Sequence, residues 1–580
     1  MRAIDRLLRN RPKAGGLSLA GKIKALFANG EQGWWYDPSN FSTLFQDAAG
    51  TTPVTAVEQP VGLQLDLSKG LVLGPELVTN GDFSNGTTGW TPSSSTLSVS
   101  DGKLVVTAAG VSSRASQAVT TVANTWYEAQ FTFGGGTAVE SVRIGVSIDN
   151  AVYYQTTVDG SYKIKFLATT ATTYITLKAG DVIGLTAIFD NISVKELPGN
   201  HRFQSTSANR PVVSARVNLL TKTEEFNDAA WTKTNVTVTA NAIVAPDGTL
   251  TADKVEATAS ASTEMRQDAT VLATEIIATA RIKKGSGAND MNRFQIRSIT
   301  AGATLLAIAV NLDNGVITYV NGSTGATVTA GADGWFVVRM VVPITSGHTI
   351  RFSLGSNGSN ETAGEFSYIW GADLRPTNQG VGLPAYQRVN TSTDYDSTGF
   401  PVYIKPNGSN QFMQTNSINF TATDKMTVWQ GVRKLSDAQS AVLLELGVGG
   451  ASGGFSVFAP ITPDRYTWLG NGNIYSFATQ AAGTRSSIYT APNTSVITGL
   501  GNISGDLNTL RINGAQVSQA TGDQGAGNYG NFPAYFYMRT GTTVPFNGHD
   551  YGSIARGAAS TAAQITAGEA YINSKTRAFA

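Results

Sequence analysis

TWYEAQFTF, residues 125–133, alternates strictly: Tyr127, Ala129, Phe131 and Phe133 share one side of an extended chain. Trp126, Glu128, Gln130 and Thr132 share the other. A period of two is the signature of a half-buried antiparallel strand, with a dry inner face and a wet outer one. The habit spreads in both directions. Val142, Ile144, Val146 and Ile148 repeat it, as do Ile188, Ile192 and Val194 in IFDNISVKEL. A second set of strands is marked by Phe294/Ile296, Leu306/Ile308/Val310 and Ile350/Phe352/Leu354, and a third by KMTVWQGVRKL, NTLRINGAQV and AYFYMRTG. The expected fold is all-β: multiple antiparallel β-sandwiches with short N-terminal helices and one C-terminal helix.

Bulk composition fits many short strands joined by tight turns. The 580 residues hold 62 glycines and only 14% charged side chains. Lys+Arg of 42 against Asp+Glu of 41 leaves +1, which argues against a nucleic-acid partner. With no cysteine, disulfides and thiolate metal sites are excluded. No run approaches the roughly 20 apolar residues of a membrane helix, so no membrane insertion is expected. Lys22 and Lys24 interrupt the only stretch that could act as a signal h-region, so no secretory signal is expected.

The N-terminus differs from the rest. Ile4, Leu7 and Leu8 fall at helical spacing up to Pro12. A second helix fits Ser18 as N-cap with Leu19, Ile23, Leu26 and Phe27 on one stripe, ending at Asn29-Gly30. Up to Lys24 seven basic residues (Arg2, Arg6, Arg9, Arg11, Lys13, Lys22, Lys24) stand against one acid, Asp5. Helices this short do not bury their stripes on each other, so residues 1–30 read as a segment docking into a partner's groove. At the other end Ser560 is the expected N-cap of a helix carrying Ile565, Glu569 and Ile572, with Lys575 and Arg577 complementing its dipole.

NGDFSNGTTGW (80–90), with FDNISVKEL (189–197) about a hundred residues on, resembles the opening and closing strands of a carbohydrate-binding jelly roll. The resemblance implies that Phe83 and Trp90 are core plugs holding a glycine-rich loop. It also places Asp82 and Asp190 where such modules fix a structural calcium ion, although Ser84 stands where many relatives have a glutamate. NLLTKTEEFNDAAW (218–231) is similar to a module recurrent in tailed-bacteriophage virion proteins, with Phe226 and Trp231 in the same relation. FPVYIKPNGSNQF (400–412) through PFNGHDYGSIARG (545–557) resembles a laminin-G/concanavalin A-like domain. In the phage proteins this resembles, a string D-x-S-G-x-G-N-H-x-x-Q-x-T-x-x-x-R-P runs without a break. Here DLSKG stops at Gly70 and GNHRFQSTSANRP begins at Gly199.

These resemblances imply a chain organised as 1–30 (docking segment), 31–72, 199–216 and 388–580 (one split laminin-G-like domain), with 73–198 and 217–387 as inserted sandwiches. A jelly roll's first and last strands pair, so its ends emerge together and fit a surface loop. Glycan recognition is expected on the outer face of the first sandwich: Trp126 in phase with Glu128 and Gln130, then Arg143, Tyr153 and Tyr154. The alternative for Trp126 is packing against a neighbouring sandwich. Three histidines far apart (His201, His348, His549) leave little material for a zinc site or triad, and neither Glu224-Glu225 nor Glu445 has a partner carboxylate at strand spacing.

The expectation is therefore a non-enzymatic virion structural protein of tail-fibre, spike or baseplate type, localised in the virion. It would bind other virion proteins through residues 1–30 and a host cell-surface glycan through its sandwiches. It would need no cofactor beyond possible structural Ca²⁺, and would assemble as a homotrimer. The alternatives are a capsid decoration or head-fibre protein, and a polysaccharide-degrading enzyme with binding modules.

Overall fold

The computed structural model describes residues 17–286, 292–355, 362–377, 383–391, 394–447, 451–461, 464–479 and 489–579. The chain is all-β, and its sheets form three sandwiches. The largest, here called the platform, takes strands from three separated stretches. Its eight-stranded sheet runs Val212–Ser214, Tyr403–Lys405, Gly548–Arg556, Lys425–Lys434, Asn493–Asn502, Leu507–Ile512, Ala515–Ala520, and Gly33–Tyr36 also pairs with Gly548–Arg556. The register sets Trp34 opposite Ala555 and Trp35 opposite Ile554. Its nine-stranded sheet places Leu63–Gln64 beside Arg202–Phe203, which in turn pairs with Met413–Asn419. One core lies between the two sheets, from Trp34 and Leu44 through Val213 to Phe536 and Ala555.

The interrupted motif is rejoined in space. Asp66 is buried, and its carboxylate accepts hydrogen bonds from the backbone N–H of Trp35, Ser68 and Asn200, each 2.8 Å. The Asp66 N–H donates to Nδ1 of His201 (2.9 Å), and Asn200 Nδ2 donates to the Gly33 carbonyl (2.7 Å). Residues 66 and 200, separated by a whole module, make the contacts of a continuous turn.

The first inserted sandwich has two five-stranded sheets. One runs Tyr154–Thr156, Ser141–Gly145, Thr172–Gly180, Ser113–Thr120, Thr91–Ser93. The other runs Gly160–Ala168, Thr125–Phe133, Thr186–Glu196, Lys103–Ala108, Ser95–Ser100. The second inserted sandwich repeats both orders strand for strand. Thr232–Thr234, Glu264–Thr270, Thr349–Gly355, Arg293–Ser298 and Ala303–Val310 make one sheet, and Val236–Ile243, Ala252–Ala257, Phe366–Pro376, Glu275–Ser286 and Trp335–Pro343 the other. It adds only Ile317–Gly322 and Ala326–Ala330 at the edges. Each core is self-contained, from Val78 to Val194 in the first and from Leu220 to Leu374 in the second.

Three local expectations are corrected. In the closing strand of the first sandwich Phe189, not Ile188, points inward, because a bulge between Asp190 and Ser193, with Asn191 at φ 56, resets the alternation. The C-terminal helix, α2 (Ala562–Thr576), is capped by Thr561 rather than Ser560. Thr561 and Gln564 form a reciprocal capping box, whereas the Ser560 hydroxyl accepts a hydrogen bond from Arg556. The N-terminal helix α1 (Leu19–Ala25) is capped by Ser18 as expected, but its stripe packs within the chain and not into a partner's groove. Ile23, Leu26 and Phe27 are buried on the platform's own Trp35, Trp429 and Ile554, beside Tyr571 and Ile572 of α2. That apolar face is consumed inside the chain, so it is not a docking surface. The helix expected around Ile4–Leu8 lies outside the described residues.

Candidate functional site

Both inserted sandwiches open with the same clamp. In the first, Phe83 and Trp90 are buried against each other with ring centroids 5.8 Å apart, as core plugs. The Trp90 indole donates to the carbonyl of Asn80 (3.2 Å), which sits at φ 54. The Gln117 side chain accepts from the Thr79 N–H (2.7 Å) and donates to its carbonyl (2.9 Å). In the second, Phe226 and Trp231 meet at 4.9 Å, and Trp231 donates to the carbonyl of Lys222 (2.8 Å), also at φ 54. Gln267 clamps Thr221 by the same pair of bonds. In both modules the buried aromatics hold the loop.

The four residues expected on one glycan platform do not converge. Trp126 is only 3% exposed. Its ring packs on Phe203 and His201 of the platform (5.5 and 5.6 Å) within a cluster of Phe45, Leu63, Leu65 and Leu197. The alternation is right, but the outer face at that end of the strand meets another module, so Trp126 is a seam residue and not a sugar platform. Arg143 does face outward, where its guanidinium pairs with Asp149 (2.9 Å), which also takes Lys178 (3.0 Å). Tyr153 stacks on Phe166 (5.1 Å) and hydrogen-bonds Thr169, while Tyr154 packs towards Phe131 and Tyr162. In the register Tyr154 lies opposite buried Ile144 and Gln155 opposite Arg143, so Arg143 and Tyr154 occupy opposite faces of their sheet.

Asp82 lies in a groove with Glu76, Asn80, Gln130, Ser193 and Lys195. Its carboxylate accepts from the Ser84 hydroxyl (3.0 Å) and N–H (3.3 Å), and Asp190 accepts from the Asn191 N–H (2.7 Å). Among the described residues no three His, Asp or Glu side chains come together as a metal cage. Calcium takes about six to eight oxygen ligands, and of the two aspartates only Asp82 lines the groove. The histidines are equally dispersed. His201 is buried, and desolvation holds its pKa down at about 3. His348 bonds Ser298 (2.9 Å), and His549 stacks on Tyr403.

A cleft that sequence reasoning missed lies between the platform and the second sandwich, with a volume of about 310 Å³. The outer face of the eight-stranded sheet is covered at one end by α1 and α2. At the other end Tyr403, Lys405, Arg433 and His549 line the cleft. The Tyr403 and His549 rings stack in parallel, 3.9 Å apart and 7° from coplanar. Burial, then Arg433 and Lys405, hold the His549 imidazole well below its usual range, so it is neutral. The facing wall is Arg216, Val217, Leu219 and Leu272, with Tyr395 and Glu58 at the sides. Arg216 is spread over the carbonyls of Asn218, Leu219 and Leu220 and the Tyr395 hydroxyl, and Glu58 accepts from the Ser214 hydroxyl. No local motif signals this site, because its lining runs from residue 58 to residue 549.

No described protein family and no curated protein matches the sequence. Among solved structures, the chain is similar to the carbohydrate-binding module CBM40 of the Ruminococcus gnavus IT-sialidase, bound to α2,3 sialyllactose. That match has 15% identity and a TM-score of 0.20, and covers 24% of this chain and 78% of that one. It is also similar to the botulinum neurotoxin serotype D binding domain (10% identity, TM-score 0.23, 29% and 42% covered). A third is the NanB sialidase of Streptococcus pneumoniae (14% identity, TM-score 0.20, 26% of each chain). The all-β fold of this chain rests on its own sheets and not on these matches.

Proposed function

We propose that the chain is a non-enzymatic virion structural protein of a tailed bacteriophage, of tail-fibre, spike or baseplate type, whose inserted sandwiches bind glycans at the host surface. The observation that carries this reading is the use of one jelly-roll topology twice, each copy with its own core and both set into loops of one platform. Two like modules on one support favour avid attachment over turnover, since linked weak sites multiply their affinity. The histidines stand apart, and Glu445 is taken up by Arg539 (2.9 Å), which fits binding better than hydrolysis.

With the α1 stripe buried, attachment to other virion proteins falls to residues 1–16, which carry Arg2, Arg6, Arg9, Arg11 and Lys13. The test is to delete residues 1–16 and assay both incorporation into particles and retention of purified protein on host surface polysaccharide. Loss of incorporation with retained polysaccharide binding is expected. Release of new reducing ends from the polysaccharide would instead favour an enzyme. The homotrimer is tested by light scattering, where a stable folded monomer at micromolar concentration counts against it. A calcium ion at Asp82 and Asp190 is tested by melting in calcium against chelator, where equal midpoints exclude it.

A further inference from the structure

The platform–sandwich cleft has a composition that neither a structural seam nor a neutral sugar groove requires. Three cations line it, Arg216, Lys405 and Arg433, against one carboxylate, Glu58. Arg216 is bonded to backbone carbonyls and Arg433 donates to Thr494, whereas among the described residues the exposed Lys405 side chain has neither a salt bridge nor a hydrogen bond. The neighbouring imidazole of His549 is held neutral by burial and by Arg433 and Lys405, so it adds no charge to the cleft. Facing Lys405 and Arg433, on the same side as Arg216, lies an apolar wall of Leu219, Leu272 and Pro376, and Leu272 is 46% exposed although it points into the space between two modules. An excess of positive charge in a concave, low-dielectric site concentrates anions, and the Lys405 ammonium is the group left for one. An inorganic anion, however, gains nothing from an aliphatic wall. A ligand that is anionic on one side and apolar on the other uses both.

We propose that this cleft binds an acidic sugar residue, with its carboxylate on the Lys405–Arg433 side and the apolar face of its pyranose ring against Leu272 and Leu219. The volume, about 310 Å³, lies at the small end of ligand sites and suits one sugar unit with its glycosidic neighbours leaving through the open mouth. Module junctions are favoured places for such sites. This rests on the reading that the protein binds glycans, and specifies their class.

The experiment is calorimetric titration of the full chain with a galacturonate tetramer, its methyl ester and a hyaluronan tetramer. At least one acid should bind, the methyl ester at least tenfold more weakly, and raised salt should weaken the acid further. Lys405→Glu should abolish binding of the acid while Lys405→Arg keeps it, and an unchanged melting curve shows that each variant is folded. Equal binding of acid and ester, no binding of either acid, or full binding by Lys405→Glu overturns the proposal. The two readings fail separately. A protein that holds host polysaccharide irrespective of Lys405 keeps the attachment function and loses this site. Lys405-dependent binding of the acid by a protein absent from virions does the reverse.

Discussion

Arg202 shows how single residues hold a chain that is interrupted twice. It is fully buried, and its guanidinium meets Asp550 at 2.9 Å and Gln64 at 2.9 and 2.6 Å. The faces of Tyr36 and Phe536 lie 4.7 and 4.6 Å from its centre. Gln64, Arg202 and Asp550 come from the three separated stretches of the platform. Removing one partner of a buried pair leaves the other uncompensated, at about 3–5 kcal/mol. Arg202→Ala should lower the platform's urea midpoint accordingly, and Arg202→Lys should rescue little, because an ammonium lacks the planar fork. A second residue sets a pH dependence. Burial pushes the Asp253 carboxyl up to about 6 from 3.8, against the backbone N–H groups of Asn241, Phe226 and Asn227 that favour its charge. The folded chain therefore keeps a proton that the unfolded chain has released. Stability of the second sandwich should fall as pH rises through that window, by about 3 kcal/mol at most, and level off above it. Thermal melts across the window check this, and Asp253→Asn should flatten the slope. Phe83 and Trp90 were legible in sequence because two large aromatics among glycines have only a core to go to. Trp126 was not, since strand phase tells which face a side chain takes but not whether that face meets water.

Among the elements, the short helix α1 is the clearest case of a signal whose partner lies far along the chain. Its spacing and Ser18 cap mark a helix with an apolar stripe, and seven residues do not sustain a helix alone. What covers the stripe is a sheet face built from Trp35, Trp429 and Ile554 and a helix more than five hundred residues away. No local pattern carries that information. Ile23 is wholly buried there, so Ile23→Ala should cost about 2–5 kcal/mol through lost contact and a cavity. Hydrogen exchange should then quicken in α1, in α2 and along Gly33–Tyr36, with the two inserted sandwiches unchanged. Unchanged protection in α2 would mean that the stripe is not part of the platform's fold. The bulge in the first sandwich's closing strand makes the same point at smaller scale. One residue in the left-handed region moves Phe189 inward and Ile188 outward, and period-two counting passes over it.

At the scale of the whole molecule, the sheets explain why a domain tolerates two large insertions. The ends of the first sandwich are bonded to each other, with the Gly74 N–H donating to the Glu196 carbonyl (2.9 Å) and the Leu77 N–H to Val194 (3.0 Å). The second is strapped shut by Asn218 and Gln387, whose side chains bond each other's backbone. An insertion whose ends already meet adds little closure entropy to the host loop, because the cost grows only slowly with length and is met inside the module's own fold. The contacts that rejoin the platform, Asp66 to Asn200 and Arg202 to Gln64 and Asp550, lie outside the inserted segment. Replacing residues 74–196 by two glycines should therefore leave a folded platform, and residues 73–198 alone should fold on their own core. The excised platform will carry one defect. Phe45, Leu63, Leu65 and Phe203 lose the cover of Trp126 and Leu167, so it should associate at high concentration. Changing Phe45 and Phe203 to serine and threonine should restore a monodisperse platform. Circular dichroism and sedimentation of the two halves decide the matter. If the platform unfolds when the module is cut out cleanly, the module is a structural part of its host and not a head set into its loop.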